Sequence, residues 1–384
     1  MKLGSEILLA SSRLKGLRVG VLANSASVDH EFRHIADLLA ASPDFKLTAI
    51  FGPQHGFRSD LQDNMIETPH VKDPKRVPIF SLYSETRQPA PEMLDLIDIL
   101  VIDIQDVGAR IYTFIYTMAN CLRAASRAGI PVIVCDRPNP IGGVAVEGPM
   151  LKPGYESFVG QFPIPMRHGM TVAELARLFN EAHGIGAALE TVPMQGWSRE
   201  MYFDETELPW VMPSPNMPTL DTATVYPGTV LFEGTMLSEG RGTTRPFELI
   251  GAPWLDGEQL AARMNAVGLS GVHFRPAIFE PTFQKHARET CGGCQIHVTA
   301  RQSFVSVKAG VSLLRECYGL APKLFKWRDP PYEYEHDKMP IDILAGSPQL
   351  REQIEQQVPL AEIVESWRLD MAAFEASRNQ YLLY

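Results

Sequence analysis

The chain has 384 residues, which is too long for one ordinary core and predicts two domains with a cleft between them. Hydrophobic residues form 45% of the sequence, and the formal net charge of −10 argues against a partner held through phosphates, so we expect no nucleic-acid partner. No segment reaches the ~20 apolar residues of a membrane span, and polar residues interrupt the N-terminal apolar stretches where a secretory signal needs a continuous run. These patterns predict a cytoplasmic protein without a membrane span.

Short β-branched runs alternate with amphipathic segments over the first 140 residues. The runs are almost continuously apolar, which is typical of parallel strands covered on both faces. Candidate strands lie at 18–23, 47–51, 77–83, 99–104 and 131–135, and candidate crossover helices lie at 31–41 and 112–128. The pattern predicts an α/β fold with a Rossmann-like, doubly wound parallel sheet.

Proline and glycine become frequent after residue 138, and we place a domain boundary near residue 145. Residues 1–145 are predicted to form a Rossmann-like catalytic domain, and residues 146–384 a mixed α+β accessory domain that completes the cleft. Within the second domain, the patterns predict helices near 171–183, 303–317 and 349–376 and a strand at 295–299.

Polar residues follow the predicted strands, which is where open sheets of this kind bind their ligands. The turn after the first strand, LANSASVD, lacks the G-x-G-x-x-G of a dinucleotide site, so we expect neither NAD nor another cofactor. The candidate ligand contacts at these strand ends are Asn24, Gln54, His55, Arg58, Asp106, Arg110, Asp136, Arg137 and Asn139.

Some of these groups have a structural alternative. Asp103, inside the fourth strand, can serve a neighbouring loop, and Asp136 with Arg137 can form an ion pair that braces the loop. A metal site built from such carboxylates with His55 and His168 shows no recognisable ligand spacing, so we expect no metal.

The second half of the chain adds two more candidate segments. His168 precedes a predicted helix and can bind substrate or brace the helix start. Glu239 and Arg241 lie in EGRGTTRPFE, whose alternating glycines favour backbone conformations that bring side chains close to a ligand, so we favour a functional role for both. Cys291 and Cys294 form a CxxC without a second such pair, which favours structural thiols over a metal or redox site.

Long motifs resemble those of a known family. FGPQHGFR, DIQDVGARIYTFIYTM, DRPNPIGG, VYPGTVLFEGT and SEGRGTTRPFELIGAPW follow one another as in the DUF1343 family, so the chain resembles these YbbC-like or NamZ-like exo-β-N-acetylmuramidases. The resemblance implies a Rossmann-like domain, an accessory α/β domain and an active site in the cleft. It also implies a glycoside hydrolase that releases N-acetylmuramic acid from the non-reducing end of peptidoglycan fragments during cell-wall recycling.

The resemblance further implies catalytic roles. Many family members carry glutamate where this chain has Gln54, and an amide can hydrogen-bond a sugar but cannot protonate a leaving group. The family's catalytic glutamate aligns with Glu67, which is therefore the expected general acid. The second catalytic group stays open between Asp106, Asp136, Glu239 and the 2-acetamido group of the substrate, and Asp106 is carried forward with Glu67.

N-acetylmuramic acid also carries a lactyl carboxylate, which suits a guanidinium group. The candidate guanidinium groups belong to Arg58, Arg110, Arg137 and Arg241. Candidates for the sugar hydroxyls, the acetamido group and a ring face are His55, Asn139, His168, Tyr112, Tyr226 and Trp254. Two other functions fit the same residues: a catalytically weakened amino-sugar-binding protein, or a glycosidase for another 2-acetamido or carboxylated sugar.

Overall fold

A sheet covered by helices on both faces forms the first part of the computed structural model, which describes residues 1–58, 71–72, 77–84 and 86–384. The described strands are β1 (Arg18–Ala23), β2 (Lys46–Gly52), β3 (Val71–Lys72), β4 (Pro78–Ser81), β5 (Ile99–Asp103), β6 (Val132–Cys135), β7 (Glu147–Met150), β8 (Pro165–Arg167), β9 (Leu189–Val192), β10 (Leu249–Ala252), β11 (Val272–Phe279) and β12 (Cys291–Val298).

The helices of the described chain connect and cover these strands. They are α1 (Gly4–Leu9), α2 (Ile35–Ala41), α3 (Pro91–Leu94), α4 (Phe114–Ala128), α5 (Val172–Glu181), α6 (Leu220–Thr229), α7 (Gly257–Ala266), α8 (Ser306–Leu320), α9 (Pro340–Ala345), α10 (Gln349–Glu355), α11 (Leu360–Glu365) and α12 (Arg368–Arg378). Short 3₁₀ turns lie at Phe203–Glu205 and Val230–Gly234.

The large sheet has the strand order β3-β4-β2-β1-β5-β6-β9, and its pairs are parallel except for β3 with β4. The chain begins in the middle at β1, builds outward through β2 to β4, and then adds β5, β6 and β9 on the other side. This is the order of a doubly wound sheet, with its switch point between β1 and β5. The predicted Rossmann-like sheet is confirmed.

Side-chain alternation explains why the strands are apolar throughout. Val19 and Val21 of β1 pack in one cluster with Ile35 and Leu39 of α2, whereas Leu22 packs in the cluster on the opposite face. Successive residues of a strand point to opposite faces, so a sheet covered on both sides needs apolar residues at every position.

The sheet continues beyond residue 145. β9 pairs in parallel with β6, with Val132 opposite Leu189, so the sheet takes its last strand from the segment that the boundary near 145 assigns to the second domain. The antiparallel pair of β7 and β8 lies between these two strands in sequence.

A second, antiparallel sheet has the order β10-β12-β11 and packs against helices of the second half, including α6 and α7. The α/β fold with a mixed second domain is therefore as predicted. Ile102, Phe179, Phe232 and Leu313 belong to one hydrophobic cluster, so the two halves share a core. A shared, close-packed core holds the walls of the cleft in fixed positions.

The helix predicted at 349–376 is wrong, because the structure has α10, α11 and α12 there. Gln357 has a φ of 54°, and Pro359, which lacks an N–H and disfavours helical geometry before it, directly precedes α11. The helix predicted from residue 31 begins at Ile35, since the His34 side chain accepts a hydrogen bond from the N–H of Ala36. No described helix is both long and apolar enough to cross a membrane.

Candidate active site

A pocket whose empty space, including the part open to solvent, is about 460 Å³ lies between the two halves. Its walls include Gln54 and His55 after β2 and Thr113 just before α4. The second half supplies further lining residues, which include Glu233, Arg241, Tyr332 and Glu333. The first wall is at the carboxyl end of the parallel sheet, where the sequence predicted a site.

Three lining residues other than glycine have a left-handed backbone. The φ angles are 69° for His55, 64° for Phe247 and 45° for Glu333. Such conformations cost about 1–3 kcal/mol each and persist only where the surrounding structure enforces them. Their concentration around one pocket indicates a functional site.

Glu233 is a buried carboxylate fixed by two donors. Its Oε1 accepts a hydrogen bond from Arg241 Nη2 at 2.7 Å, and its Oε2 accepts one from the Tyr332 hydroxyl at 2.6 Å. Burial alone raises the pKa of Glu233, but the charge of Arg241 and these hydrogen bonds outweigh burial and leave the pKa below its usual value. Glu233 is therefore ionised at neutral pH.

Glu333 lies in the same pocket, but its pKa is shifted in the opposite direction. Its Oε2 accepts a hydrogen bond from the Tyr83 hydroxyl at 3.1 Å, and a second hydrogen bond joins its carboxyl group to the side chain of Gln54. Gln54 is held in turn by Thr113, whose hydroxyl donates to Gln54 Oε1 at 2.7 Å. Burial, and next the negative charge of Glu233, raise the pKa of Glu333 to about 7 against these hydrogen bonds.

One pocket thus holds two buried carboxyl groups, Glu233 and Glu333, whose pKa values are shifted in opposite directions. A carboxyl group that keeps its proton near pH 7 can act as a general acid, while an ionised neighbour can stabilise positive charge. The arrangement suits a reaction in which a leaving group is protonated while a cation-like centre develops.

Several sequence-predicted residues line this pocket. Gln54, His55 and Arg241 do so, and so do Tyr112 and Tyr226, the candidate ring faces. Glu239 stands behind Arg241, where its Oε2 accepts a hydrogen bond from Lys285 Nζ at 2.7 Å and its Oε1 lies 3.3 Å from Arg241 Nε.

Arg137 and Asn24 are not among the lining residues. The side chains of both residues hold the carboxyl ends of the strands together. Arg137 Nε donates to Asp103 Oδ1 at 2.6 Å in a fully buried pair, and Arg137 Nη2 donates to the carbonyl of Val28. Asn24 Nδ2 donates to the carbonyl of Gln105, whose N–H donates back to Asn24 Oδ1. These two side chains at the carboxyl ends of the strands are therefore engaged by protein partners.

Arg110 and Asp136 also have protein partners away from the pocket lining. Arg110 donates to three backbone carbonyls, those of Pro149, Ile164 and Leu344, and so ties the sheet to the second half. Burial lowers the pKa of Arg110 to about 10. Asp136 accepts hydrogen bonds from the N–H groups of Arg137 and Ala173 and from the hydroxyls of Thr171 and Tyr384, which fixes the start of α5 and the C-terminal residue.

Asp106 and His168 form a second buried pair. Asp106 Oδ2 accepts a hydrogen bond from the N–H of Gly108 and lies 3.5 Å from His168 Nε2. His168 Nδ1 accepts from the N–H of Met170, whereas Nε2 has no hydrogen-bond partner among the described residues. Asn139 Nδ2 donates to the carbonyl of Met170, so its amide braces the same loop. Asp106, His168 and Asn139 do not line the pocket.

Breaking the buried pair of Asp103 and Arg137 is expected to destabilise the fold strongly. In Asp103→Asn, Arg137 keeps a buried charge without its counter-charge, which costs about 3–5 kcal/mol of the free energy of unfolding. The matched control is Asp98→Asn, which breaks the exposed pair with Arg18 and should cost much less, because solvent screens exposed charges. Urea titrations of the full chain measure both values, and equal losses would contradict the structural role of Arg137.

Two further predicted site residues are Glu67 and Arg58. Glu67 lies outside the described residues. Arg58 is the last described residue before the gap at 59–70, and it is exposed and does not line the pocket. Among the described residues, no group of three or more His, Cys, Asp or Glu side chains could hold a metal, and the five cysteines are buried and free. Burial raises the pKa of Cys291 to about 11 and of Cys294 to about 12.

Sequence reasoning missed Glu233 and Glu333. A signal existed for Glu233, because it lies in VYPGTVLFEGT, one of the motifs shared with the family, as an acid between Phe232 and Gly234. Glu333 lies in PPYEYE, where alternating aromatic and acidic residues after two prolines give only a weak signal.

Known proteins are similar to this chain along almost its whole length. The exo-β-N-acetylmuramidase NamZ family matches with its N-terminal model at residues 19–221 and its C-terminal model at residues 224–384. The peptidoglycan β-N-acetylmuramidase NamZ of Bacillus subtilis (strain 168) is 47% identical over 372 residues, which cover 97% of this chain and 88% of that protein.

Two crystal structures of DUF1343 family proteins from Bacteroides fragilis NCTC 9343 are also similar to the chain. One has a TM-score of 0.88 at 34% identity, and the other a TM-score of 0.77 at 28% identity. Each match covers 100% of this chain and 98% of the other protein. The likeness therefore includes both halves of the fold.

Proposed function

The chain belongs to the exo-β-N-acetylmuramidase NamZ family, and on this premise we propose that its pocket cleaves N-acetylmuramic acid from the non-reducing end of peptidoglycan fragments. The protein is a glycoside hydrolase of this family. The observation that carries the choice of pocket is the pair of buried carboxyl groups, Glu233 and Glu333, with pKa values shifted in opposite directions.

In the proposed mechanism, Glu333 is the general acid. Its proton moves to the glycosidic oxygen while the bond to the anomeric carbon breaks, and water supplies the hydroxyl that completes hydrolysis. The ionised Glu233 stabilises the oxocarbenium-like centre by its fixed negative charge. Gln54 orients Glu333 through its amide, which is anchored by the hydroxyl of Thr113.

Glu67 and Asp106, the catalytic pair implied by the resemblance and the strand ends, stay competing proposals for the same two roles. Asp106 has a buried contact with His168, and its charge contributes, after burial, to the raised pKa of Tyr112 in the pocket wall. Replacing each of the four carboxyl groups separately by its amide compares the two assignments directly.

Activity measurements on matched disaccharides test the function. We expect release of N-acetylmuramic acid when that sugar is at the non-reducing end, and no cleavage when N-acetylglucosamine takes its place. The rate kcat/KM should fall as pH rises through about 7, where Glu333 loses its proton, and should stay level down to below 4.5, because the pKa of Glu233 is lowered from that value. Cleavage from the reducing end, or a rate that rises above pH 7, would contradict the proposal.

One observation supports a second candidate, an amino-sugar-binding protein with weakened catalysis. Gln54, which lines the pocket, is an amide at a position where the resemblance to the family implies a carboxyl group in many members. Calorimetric binding of the disaccharide without any product after hours of incubation would favour this candidate over the first.

We also propose that the enzyme works in the cytoplasm on small fragments of the cell wall. Cell fractionation followed by immunodetection tests the location, and a pool associated with the wall would contradict it.

A further inference from the structure

Arg241 has hydrogen-bonding capacity that the protein leaves unused. The side chain is 6% exposed and lines the pocket. Nη2 donates to Glu233 and Nε forms an ion pair with Glu239 Oε1 at 3.3 Å, whereas the two N–H groups of Nη1 have no partner among the described residues. Buried donors are nearly always paired, so unpaired N–H groups in a pocket wall point to a ligand.

The guanidinium group is held in place before any ligand arrives. The residues on both sides, Gly240 and Gly242, have φ angles of 76° and 79°, and a Cβ atom at either would lie within 3 Å of backbone atoms. The ring of Phe247 lies 5.0 Å from the guanidinium carbon. A pre-positioned planar fork of this kind suits a carboxylate, because little side-chain freedom is lost on binding.

The other candidate guanidinium groups have other partners or positions. Arg110 donates to backbone carbonyls and Arg137 is paired with Asp103, and both are buried outside the pocket lining. Arg58 is exposed and is not among the lining residues. Of the four arginines, Arg241 alone combines a place in the described pocket wall with unpaired N–H groups.

The charges around Arg241 balance one another, so the binding of a substrate anion there requires a protonated Glu333. The two cations, Arg241 and Lys285, balance the two carboxylates, Glu233 and Glu239, with which they pair. An incoming carboxylate therefore adds one negative charge to a balanced cluster. That charge is tolerated when Glu333 is neutral, which is the form that can donate a proton.

We propose that Arg241 is the specificity-determining residue of the pocket and receives the lactyl carboxylate of N-acetylmuramic acid on its unpaired N–H groups. The inference rests on the proposed function, since the lactyl group that carries this carboxylate distinguishes N-acetylmuramic acid from N-acetylglucosamine. Arg241 thereby selects the substrate, while its bond to Glu233 holds the second catalytic carboxylate.

The test compares two substrates that differ only at the lactyl group, one with the free carboxylate and one with its primary amide. The wild-type enzyme is expected to prefer the carboxylate by about 10- to 100-fold in kcat/KM, the usual range for a charged hydrogen-bonded contact. Arg241→Met should reduce this ratio to below about 3-fold, and Arg241→Lys, which keeps the charge without the fork, should give an intermediate ratio.

A merely structural role for Arg241 would slow both substrates equally and leave the ratio unchanged, which would overturn the proposal. Arg245→Met is the matched control, because Arg245 lies on the same segment with a half-exposed side chain paired to Glu248, and its ratio should equal that of the wild type. If Arg241→Met does not fold, the ratio for Arg241→Lys decides alone. Failure of the function itself is distinguishable, since the wild type would then cleave neither substrate.

Discussion

Replacing Glu333 by glutamine is expected to lower kcat/KM for the disaccharide by about 10²–10⁴-fold, the usual contribution of a general acid. Glutamine keeps the shape of the side chain and can still contact Tyr83 and Gln54, but it has no proton to transfer. Steady-state kinetics at pH 6, below the pKa of about 7 at Glu333, measures the loss against a wild type that is mostly protonated at this residue.

The nature of the leaving group separates an acid from a residue that merely supports the fold. An aryl glycoside with a strongly acidic phenol leaves without protonation, so Glu333→Gln should cleave it at nearly the wild-type rate. The same pair of substrates applied to Glu67→Gln tests the competing assignment. If Glu67→Gln, and not Glu333→Gln, shows a loss confined to the sugar leaving group, the acid is Glu67.

The stability of Glu333→Gln provides an independent readout. In the folded protein the pKa of Glu333 is raised from 4.5 to about 7, so its protonated form stabilises the fold fully below pH 4.5, and this stabilisation is lost as pH rises through 7. Glutamine does not ionise, so at pH 8 the variant should be more stable by on the order of 3 kcal/mol, at ~1.4 kcal/mol per pH unit. At pH 4.5 the two proteins should unfold alike in urea titrations. An equal difference at both pH values would show that Glu333 does not titrate as described.

Replacing Glu233 by glutamine is expected to reduce kcat/KM by about 10²–10³-fold for every leaving group, because the fixed negative charge facing the cationic centre is lost. It should also cost about 3–5 kcal/mol of the free energy of unfolding, since Arg241 keeps a buried charge without its closest counter-charge. Kinetics with both the aryl glycoside and the disaccharide, together with urea titration, measure the two effects.

The matched control for Glu233 is Tyr332→Phe. This change removes one hydrogen bond to the ionised Glu233 Oε2 but leaves the ion pair with Arg241 intact, so it should cost about 1.5–3 kcal/mol and should reduce kcat/KM much less than Glu233→Gln does. A Glu233→Gln enzyme with wild-type rates on both substrates would remove Glu233 from the mechanism, and Asp106 would then be the next carboxyl group to replace.

The sheet was predictable because its strands are buried on both faces and therefore stand out as unbroken apolar runs. The strand from residue 18 to 23 is found with the predicted bounds, and the polar residues after β2 do reach the pocket. What the pattern could not reveal is which polar strand end faces a ligand. Arg137 and Gln54 both follow buried strands. Arg137 is paired with Asp103 of a neighbouring strand, whereas Gln54 binds Thr113 and lines the pocket.

The two carboxyl groups proposed to be catalytic were harder to foresee, since they come from distant segments. The hydrogen bond between Glu233 and Tyr332 joins residues 99 positions apart, and the contact of Tyr83 with Glu333 spans 250 positions. Such pairings depend on how the second half packs on the sheet, and no local pattern encodes them. Gln54 then acquires a role that its sequence position alone does not suggest, as the amide that orients Glu333.

The most direct test is a crystal structure of the wild-type protein with N-acetylmuramic acid bound. We expect the sugar to bind in the pocket between the two halves, with a carboxyl oxygen of Glu333 within ~3 Å of the anomeric oxygen and the lactyl carboxylate on Arg241. An anomeric oxygen next to a different carboxyl group, or a sugar bound outside this pocket, would contradict it.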